Sequence, residues 1–164
     1  MTCFSINSKQ LLYLSGMYKA TYKGRYRVSN PFKYKGDIQE VIYRSSWELK
    51  FMKWCDLNPS VLEWGSEITV IPYKSPVDNK VHRYFVDFYV RVRSRDGVIT
   101  KYLVEIKPER FTRPPDKPQR QTKKFIDEVF LYGTNQAKWK AADEYCLNRG
   151  MKFLVLTERD LGIT

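Results

Sequence analysis

Histidine is almost missing from this chain: His82 is the only one in 164 residues. That count excludes a zinc site built on several imidazoles and a nuclease that works through a histidine pair, and any Ser–His or Cys–His mechanism would have to rest on one residue. Cysteine is scarce as well. Cys3, Cys55 and Cys146 are odd in number, far apart, and form no Cys-x-x-Cys pair. A disulfide framework or a structural zinc is therefore not expected, and a reducing compartment is. Long apolar runs are also absent. The longest near the N-terminus, Leu11-Leu12-Tyr13-Leu14, is shorter than a signal-peptide core or a membrane span, so neither export nor a membrane span is expected.

Acidic residues are missing from one end. Asp37 is the first of them, and residues 1–36 carry Lys9, Lys19, Lys23, Arg25, Arg27, Lys33 and Lys35 with nothing to balance them. The whole chain has 29 basic against 18 acidic residues, a net charge of +11 and a pI near 9.6. A surplus of this size points to a polyanionic partner, most often nucleic acid, with a basic membrane-surface protein as the other class. In the same stretch Tyr18, Tyr22, Tyr26, Phe32 and Tyr34 alternate with the cations at neither a strand nor a helix period. Residues 1–36 are therefore expected to form an extended basic arm. Lys19, Lys23, Arg25, Arg27, Lys33 and Lys35 would neutralise phosphates, and the tyrosines would stack or touch sugars. The alternative is a tail whose tyrosines pack on the domain. Met17 is an alternative start of translation, because residues 1–16 differ in character from the rest of the chain.

From Asp37 onward the pattern is that of a single globular domain, 37–164, and 43% apolar residues suffice for a core. Ile38 to Tyr43 reads as a short strand. Ser45 opens a helix that runs to Leu57 and stops at Asn58-Pro59, with Trp47, Phe51, Trp54 and Cys55 along one face. Glu67–Tyr73, His82–Arg93 and Thr100–Lys107 read as three strands, and Pro108–Pro118 as a loop. Helical pattern covers Gln119–Leu131 and again Asn135–Arg149, with Met151–Leu156 as a last strand. The expected class is α/β with a mixed sheet.

Two strands carry the chemistry. The even positions from Tyr84 to Val92 are apolar, which leaves Asp87 on the other face; Glu105 and Lys107 likewise share the face opposite Tyr102, Val104 and Ile106. A two-residue Asp96-Gly97 turn would set Asp87 against Ile106 and break both alternations. A three-residue loop, Arg95-Asp96-Gly97 with Gly97 left-handed, sets Asp87 against Glu105 and brings both apolar rows to one face. Two carboxylates about 5 Å apart at an effective dielectric of about 20 repel by roughly 3 kcal/mol. A hard divalent cation removes that cost, and an all-oxygen donor set suits Mg2+, with Mn2+ as the alternative. Lys107 would stand beside it to orient a water or stabilise charge on an attacked phosphate; the plain alternative is a surface ion pair with either carboxylate. Glu48 has two readings as well. Ser45-x-x-Glu48 is a helix capping box, and Glu48 also lies at the edge of the buried helical stripe, from which it would reach the metal or its waters.

Together Glu48, Asp87 and Glu105-Ile106-Lys107 resemble the PD-(D/E)xK nuclease superfamily, although Val86 stands where the superfamily's name places proline. A more detailed resemblance, over about residues 17–161, is to the head-completion nucleases of T4-like tailed phages. It rests on Tyr43-Arg44-Ser45-Ser46-Trp47-Glu48, Glu63-Trp64-Gly65-Ser66-Glu67, Arg83-Tyr84-Phe85-Val86-Asp87, Glu105-Ile106-Lys107-Pro108, Lys138-Trp139-Lys140-Ala141-Ala142 and Leu156-Thr157-Glu158. Transposon end-cleaving nucleases share part of the pattern. The resemblance implies a restriction-endonuclease-like α-β-β-β-α-β core behind the basic arm. It also implies a Mg2+-dependent DNA endonuclease that leaves 5′-phosphates and acts in head completion after DNA packaging. Asp87 and Glu105 would bind the metal, Glu48 would complete the site, and Lys107 would assist the water. Arg44, Arg83, Arg110 and Arg113 would join the arm in holding DNA. A portal or neck protein of the phage head is the implied protein partner, the chain acting as monomer or homodimer in the host cytoplasm or with the virion. The competing function is a non-catalytic plug that binds DNA ends or the portal, which would need none of Glu48, Asp87, Glu105 and Lys107.

Overall fold

A computed structural model describes residues 23–163. Its core runs in the order helix, three strands, helix, strand: α1 (Ser46–Leu57), β3 (Val61–Lys74), β4 (Val81–Arg93), β5 (Ile99–Ile106), α2 (Lys123–Leu147) and β6 (Lys152–Leu156). A two-stranded ribbon, β1 (Gly24–Arg25) with β2 (Ile42–Tyr43), precedes it. The main sheet has the order β3-β4-β5-β6, antiparallel except for the parallel β5–β6 pair that the α2 crossover requires. This is a mixed α+β fold with the α-β-β-β-α-β order that the superfamily resemblance implies.

The turn between β4 and β5 is the three-residue loop. Gly97 has φ +85°, the Ser94 amide donates to the Val98 carbonyl at 2.9 Å, and Phe88 pairs with Val104. One more step in that register brings Asp87 level with Glu105. The two apolar rows share one face only from Phe88 onward. Tyr84 and Val86 pack with Ile71, Tyr73, Ala142 and Cys146 on the α2 side, whereas Phe88, Val90, Val104 and Ile106 pack with Phe51, Met52 and Cys55 on the α1 side. The alternation of β4 slips at Asp87, whose carboxylate takes the Ile106 amide (2.8 Å) where the β4–β5 ladder has ended. Opposite this point β3 carries an extra residue between Ser66 and Thr69, with Glu67 left-handed at φ +54°.

Other elements differ from the sequence expectation in extent. The two expected helices are one of 25 residues, capped by Thr122, whose hydroxyl accepts from the Phe125 amide. Gly133 at its middle weakens a helix but does not end one. β3 begins at Val61, six residues before Glu67.

The described root of the arm is part of the folded body and not a detached tail. Lys35 donates its amide to the Trp64 carbonyl (2.7 Å), and a Cβ on Gly65 would stand 2.6 Å from the Lys35 carbonyl, so the close approach needs glycine there. Tyr26 and Tyr34 set their rings edge-on to the fully buried Trp64, so these two tyrosines are core residues and not stacking platforms. Asp56, fully buried in the last turn of α1, anchors the segment: it accepts from the Tyr26 hydroxyl (2.8 Å) and from the Ser29 and Asn30 amides (2.7 and 3.0 Å). Removing that carboxylate leaves donors without a partner, at a cost of about 1–3 kcal/mol each where they are buried. Asp56→Ala is expected to lower the free energy of unfolding by about 2–4 kcal/mol, read from urea denaturation, whereas Asp37→Ala on the exposed turn should change it by less than about 0.5 kcal/mol.

Candidate active site

The site forms where β4 loses its ladder with β5 and the N-terminus of α1 approaches. Three sequence-predicted residues meet there. The Asp87 carboxylate is held by the Ile106 amide, Glu105 is 5% exposed, and Lys107 Nζ lies 3.4 Å from Glu105 Oε1. The other oxygen of Glu105, Oε2, accepts from the buried Tyr84 hydroxyl at 2.7 Å. Periodicity places Tyr84 in an apolar row, and no sequence signal shows that its hydroxyl reaches across to the next strand.

Burial pushes the Asp87 carboxyl well above the usual carboxylate range, the facing Glu105 raises it further, and Glu48 adds to both. The Ile106 amide and the Lys107 ammonium oppose this only in part. An ionised Asp87 is therefore costly in this corner, first because it is buried and then because Glu105 and Glu48 are near.

Glu48 answers to the capping reading. Its Oε2 accepts from the Arg44 amide (2.8 Å) and its Oε1 from the Ser45 hydroxyl (3.0 Å), while the Ser45 oxygen accepts from the Glu48 amide (3.1 Å). It is close enough to Asp87 to act on its charge, yet both oxygens are engaged. Among the described residues no three Asp, Glu, His or Cys side chains converge as a metal-binding cluster. The donor set on hand is a pair of carboxylates with an ammonium beside them. Oxygen-only chemistry and an excess of buried negative charge fit a hard divalent cation.

Lys107 and Glu48 line an open cleft of about 640 Å³ together with Ser45, Ile106, Arg110 and Glu158. Arg44 stands at its rim. Its guanidinium bonds Glu67 Oε1 at 2.6 Å, which raises its pKa further, and Glu48 and Asp87 add to that effect. Arg110 lies over the Phe111 ring (4.5 Å) and Arg113 pairs with Glu109, both exposed on the Pro-rich loop. Arg83 is exposed over Phe85.

The cations expected of the arm are dispersed. Lys33 is not presented to solvent as a phosphate ligand: its ammonium donates to the Cys55, Asp56 and Asn58 carbonyls (3.3, 3.0 and 2.7 Å) and closes the C-terminus of α1. Arg25 lies 3.9 Å from Glu40, and Lys35 lies 4.0 Å from Glu63 and over the Tyr89 ring. Lys23 and Arg27 are exposed, and Lys19 lies outside the described residues.

Over residues 58–158 the chain matches the TnsA-like endonuclease N-terminal family. It is also 40% identical, over 144 residues, to the head completion nuclease of Enterobacteria phage T4, an alignment that covers 85% of this chain and 93% of that relative. The chain belongs to the TnsA-like endonucleases, and it is a DNA endonuclease. No helix among the described residues is long and apolar enough to cross a membrane.

The raised Asp87 pKa has a consequence for stability. A carboxyl whose pKa rises on folding destabilises the fold once pH exceeds that raised value, and the penalty vanishes at pH below its unfolded pKa of about 3.9. Asp87→Asn keeps an oxygen for the Ile106 amide and removes the charge. In EDTA at neutral pH the variant should melt higher than the parent, by about 2–4 °C for each kcal/mol of repulsion relieved. The gain should shrink as pH falls, which melting curves across a pH series would read.

Proposed function

We propose that the chain is a magnesium-dependent endonuclease that cuts DNA during completion of a phage head, after packaging and in the host cytoplasm. What carries this reading is the pair Asp87 and Glu105, two acidic side chains brought to one buried corner with Lys107 beside them. The name of the T4 relative supports the head-completion setting.

In this reading Asp87 and Glu105 hold the cation, each through the oxygen not strongly engaged by the protein. Glu48, with both oxygens in the capping box, contributes through a water between them. When bound, the ion supplies electrophilic help at the phosphate and makes a water more acidic. Lys107 orients the attacking water or offsets charge that develops on the phosphate, from 3.4 Å away from Glu105. Arg44 and Arg110, at the rim and wall of the cleft, hold the flanking phosphates. Mn2+ would serve in place of Mg2+.

Duplex binding is proposed for Arg110 on the cleft wall, for the exposed cations Arg83 and Arg113, and for the basic segment 1–36, with Lys23 and Arg27 at its root. The nuclease domain then comprises residues 37–164 together with the folded root of that segment, which packs on it. A portal or neck protein is the proposed partner.

With linear duplex as substrate, cleavage should require Mg2+ and stop in EDTA. Asp87→Asn should abolish it, and Lys107→Ala should slow the single-turnover rate by about 10²–10⁴-fold, both leaving DNA affinity intact. Cleavage that survives EDTA, or an undiminished rate in Asp87→Asn, would overturn the assignment. If about five phosphates are contacted, affinity for duplex should fall by about 500-fold between 50 and 200 mM salt, measured by fluorescence anisotropy.

A further inference from the structure

We propose that Tyr84 is a positioning residue that commits Oε2 of Glu105, leaves only the Lys107-facing Oε1 to a metal, and so favours a small octahedral cation, Mg2+ or Mn2+, over Ca2+. This rests on the reading of Asp87 and Glu105 as the metal-holding pair.

The geometry is specific to one oxygen. The Tyr84 hydroxyl donates to Glu105 Oε2 at 2.7 Å, while Oε1 of the same carboxylate faces Lys107. Both residues are buried, Tyr84 at 3% and Glu105 at 5% exposure, so water does not readily replace the phenol. Asp87 shows the same division of labour, with its Oδ2 taken by the Ile106 amide. Each carboxylate therefore enters the site with one oxygen already committed to a protein donor.

The Tyr84 ring cannot swing aside. It packs with Ile71, Tyr73, Val86 and Leu103, lies edge-on to Tyr73, and carries the Lys138 ammonium 5.5 Å from its centre.

Carboxylates limited to one oxygen each suit an ion that demands octahedral geometry and keeps several waters. Ca2+ takes six to eight oxygens and readily uses both from one carboxylate. Freeing Oε2 gives Ca2+ a second oxygen and loosens the rotamer that presents Oε1 to the smaller ions. Outer-shell partners of this kind are worth about 10–100-fold in metal affinity.

The test is calorimetric titration of the full chain, stripped with EDTA, by MnCl2 and by CaCl2. Mn2+ binding that is lost in Glu105→Ala supports the underlying metal assignment; binding that survives Glu105→Ala overturns that assignment and this proposal with it. Where the binding depends on Glu105, Tyr84→Phe should lower the ratio of Mn2+ to Ca2+ affinity by about tenfold. A ratio unchanged from the parent overturns the role of Tyr84 alone, because a merely loosened fold weakens both ions by one factor. Tyr73→Phe, a neighbouring ring in the same cluster, should leave the ratio where it was, and an equal shift there would also overturn the proposal. If Tyr84→Phe does not fold, as judged by its melting curve in EDTA, 3-fluorotyrosine at position 84 supplies a stronger donor. It should raise the ratio, and no rise would count against the role.

Discussion

Two negative side chains forced into one buried corner set the terms for this protein. Asp87 and Glu105 repel, and burial magnifies the repulsion. The fold tolerates them because each finds a fixed donor: the Ile106 amide for Asp87, and the Tyr84 hydroxyl with the Lys107 ammonium for Glu105. Those donors only partly offset the charge. The fold therefore gives up stability at this corner, as expected of a site selected for chemistry over rigidity, and the proposed cation would recover it.

The backbone around that corner is arranged to keep it. Gly97 in the left-handed region closes a three-residue loop and so sets the register that levels Asp87 with Glu105. The ladder ends at Phe88 and Val104, which frees the Ile106 amide to serve a side chain instead of a backbone carbonyl. Across β4, the extra residue of β3 and left-handed Glu67 turn the hairpin, and Glu67 in turn holds Arg44 at the mouth of the cleft. A non-glycine residue in that region costs on the order of 1–3 kcal/mol and persists only where its surroundings determine it. The 2.6 Å ion pair with Arg44 is part of those surroundings.

Much of this is legible in the sequence, and the illegible parts have definite causes. Ser45 as a cap, the end of α1 at Asn58 and the hairpin register follow from local chemistry: a hydroxyl that satisfies an amide, a residue before proline, a glycine where φ is positive. The triplet Asp87, Glu105 and Lys107 follows from that register. Strict alternation fails at Asp87 because it assumes an unbroken ladder, so the apolar row is split between two layers. Asp56 is invisible for a different reason. A carboxylate in the last turn of a helix is unfavourable by itself and makes sense only once the arm delivers Tyr26, Ser29 and Asn30 to it. Lys33 looks like a phosphate ligand for the mirror-image reason, since charge is local in sequence and its carbonyl partners are not.

The same distinction bears on how a polyanion meets this surface. Not all of the net charge of +11 is offered to solvent, since Lys33 is turned onto a helix end. What remains around the cleft is held in place. Glu109 accepts from Arg159 Nε at 2.7 Å and pairs with Arg113, while its own amide donates to Glu158 at 2.8 Å. That network ties the Pro-rich loop to the segment after β6, and so fixes the cleft wall that carries Arg110. A wall pinned from behind needs little further ordering, so on the proposed reading contacts with DNA there would go into holding the backbone over Lys107 and not into folding the loop. On the proposed reading the exposed cations Lys23 and Arg27 serve encounter, through a long-range field, more than alignment. That reading assigns capture and positioning to different parts of one short chain.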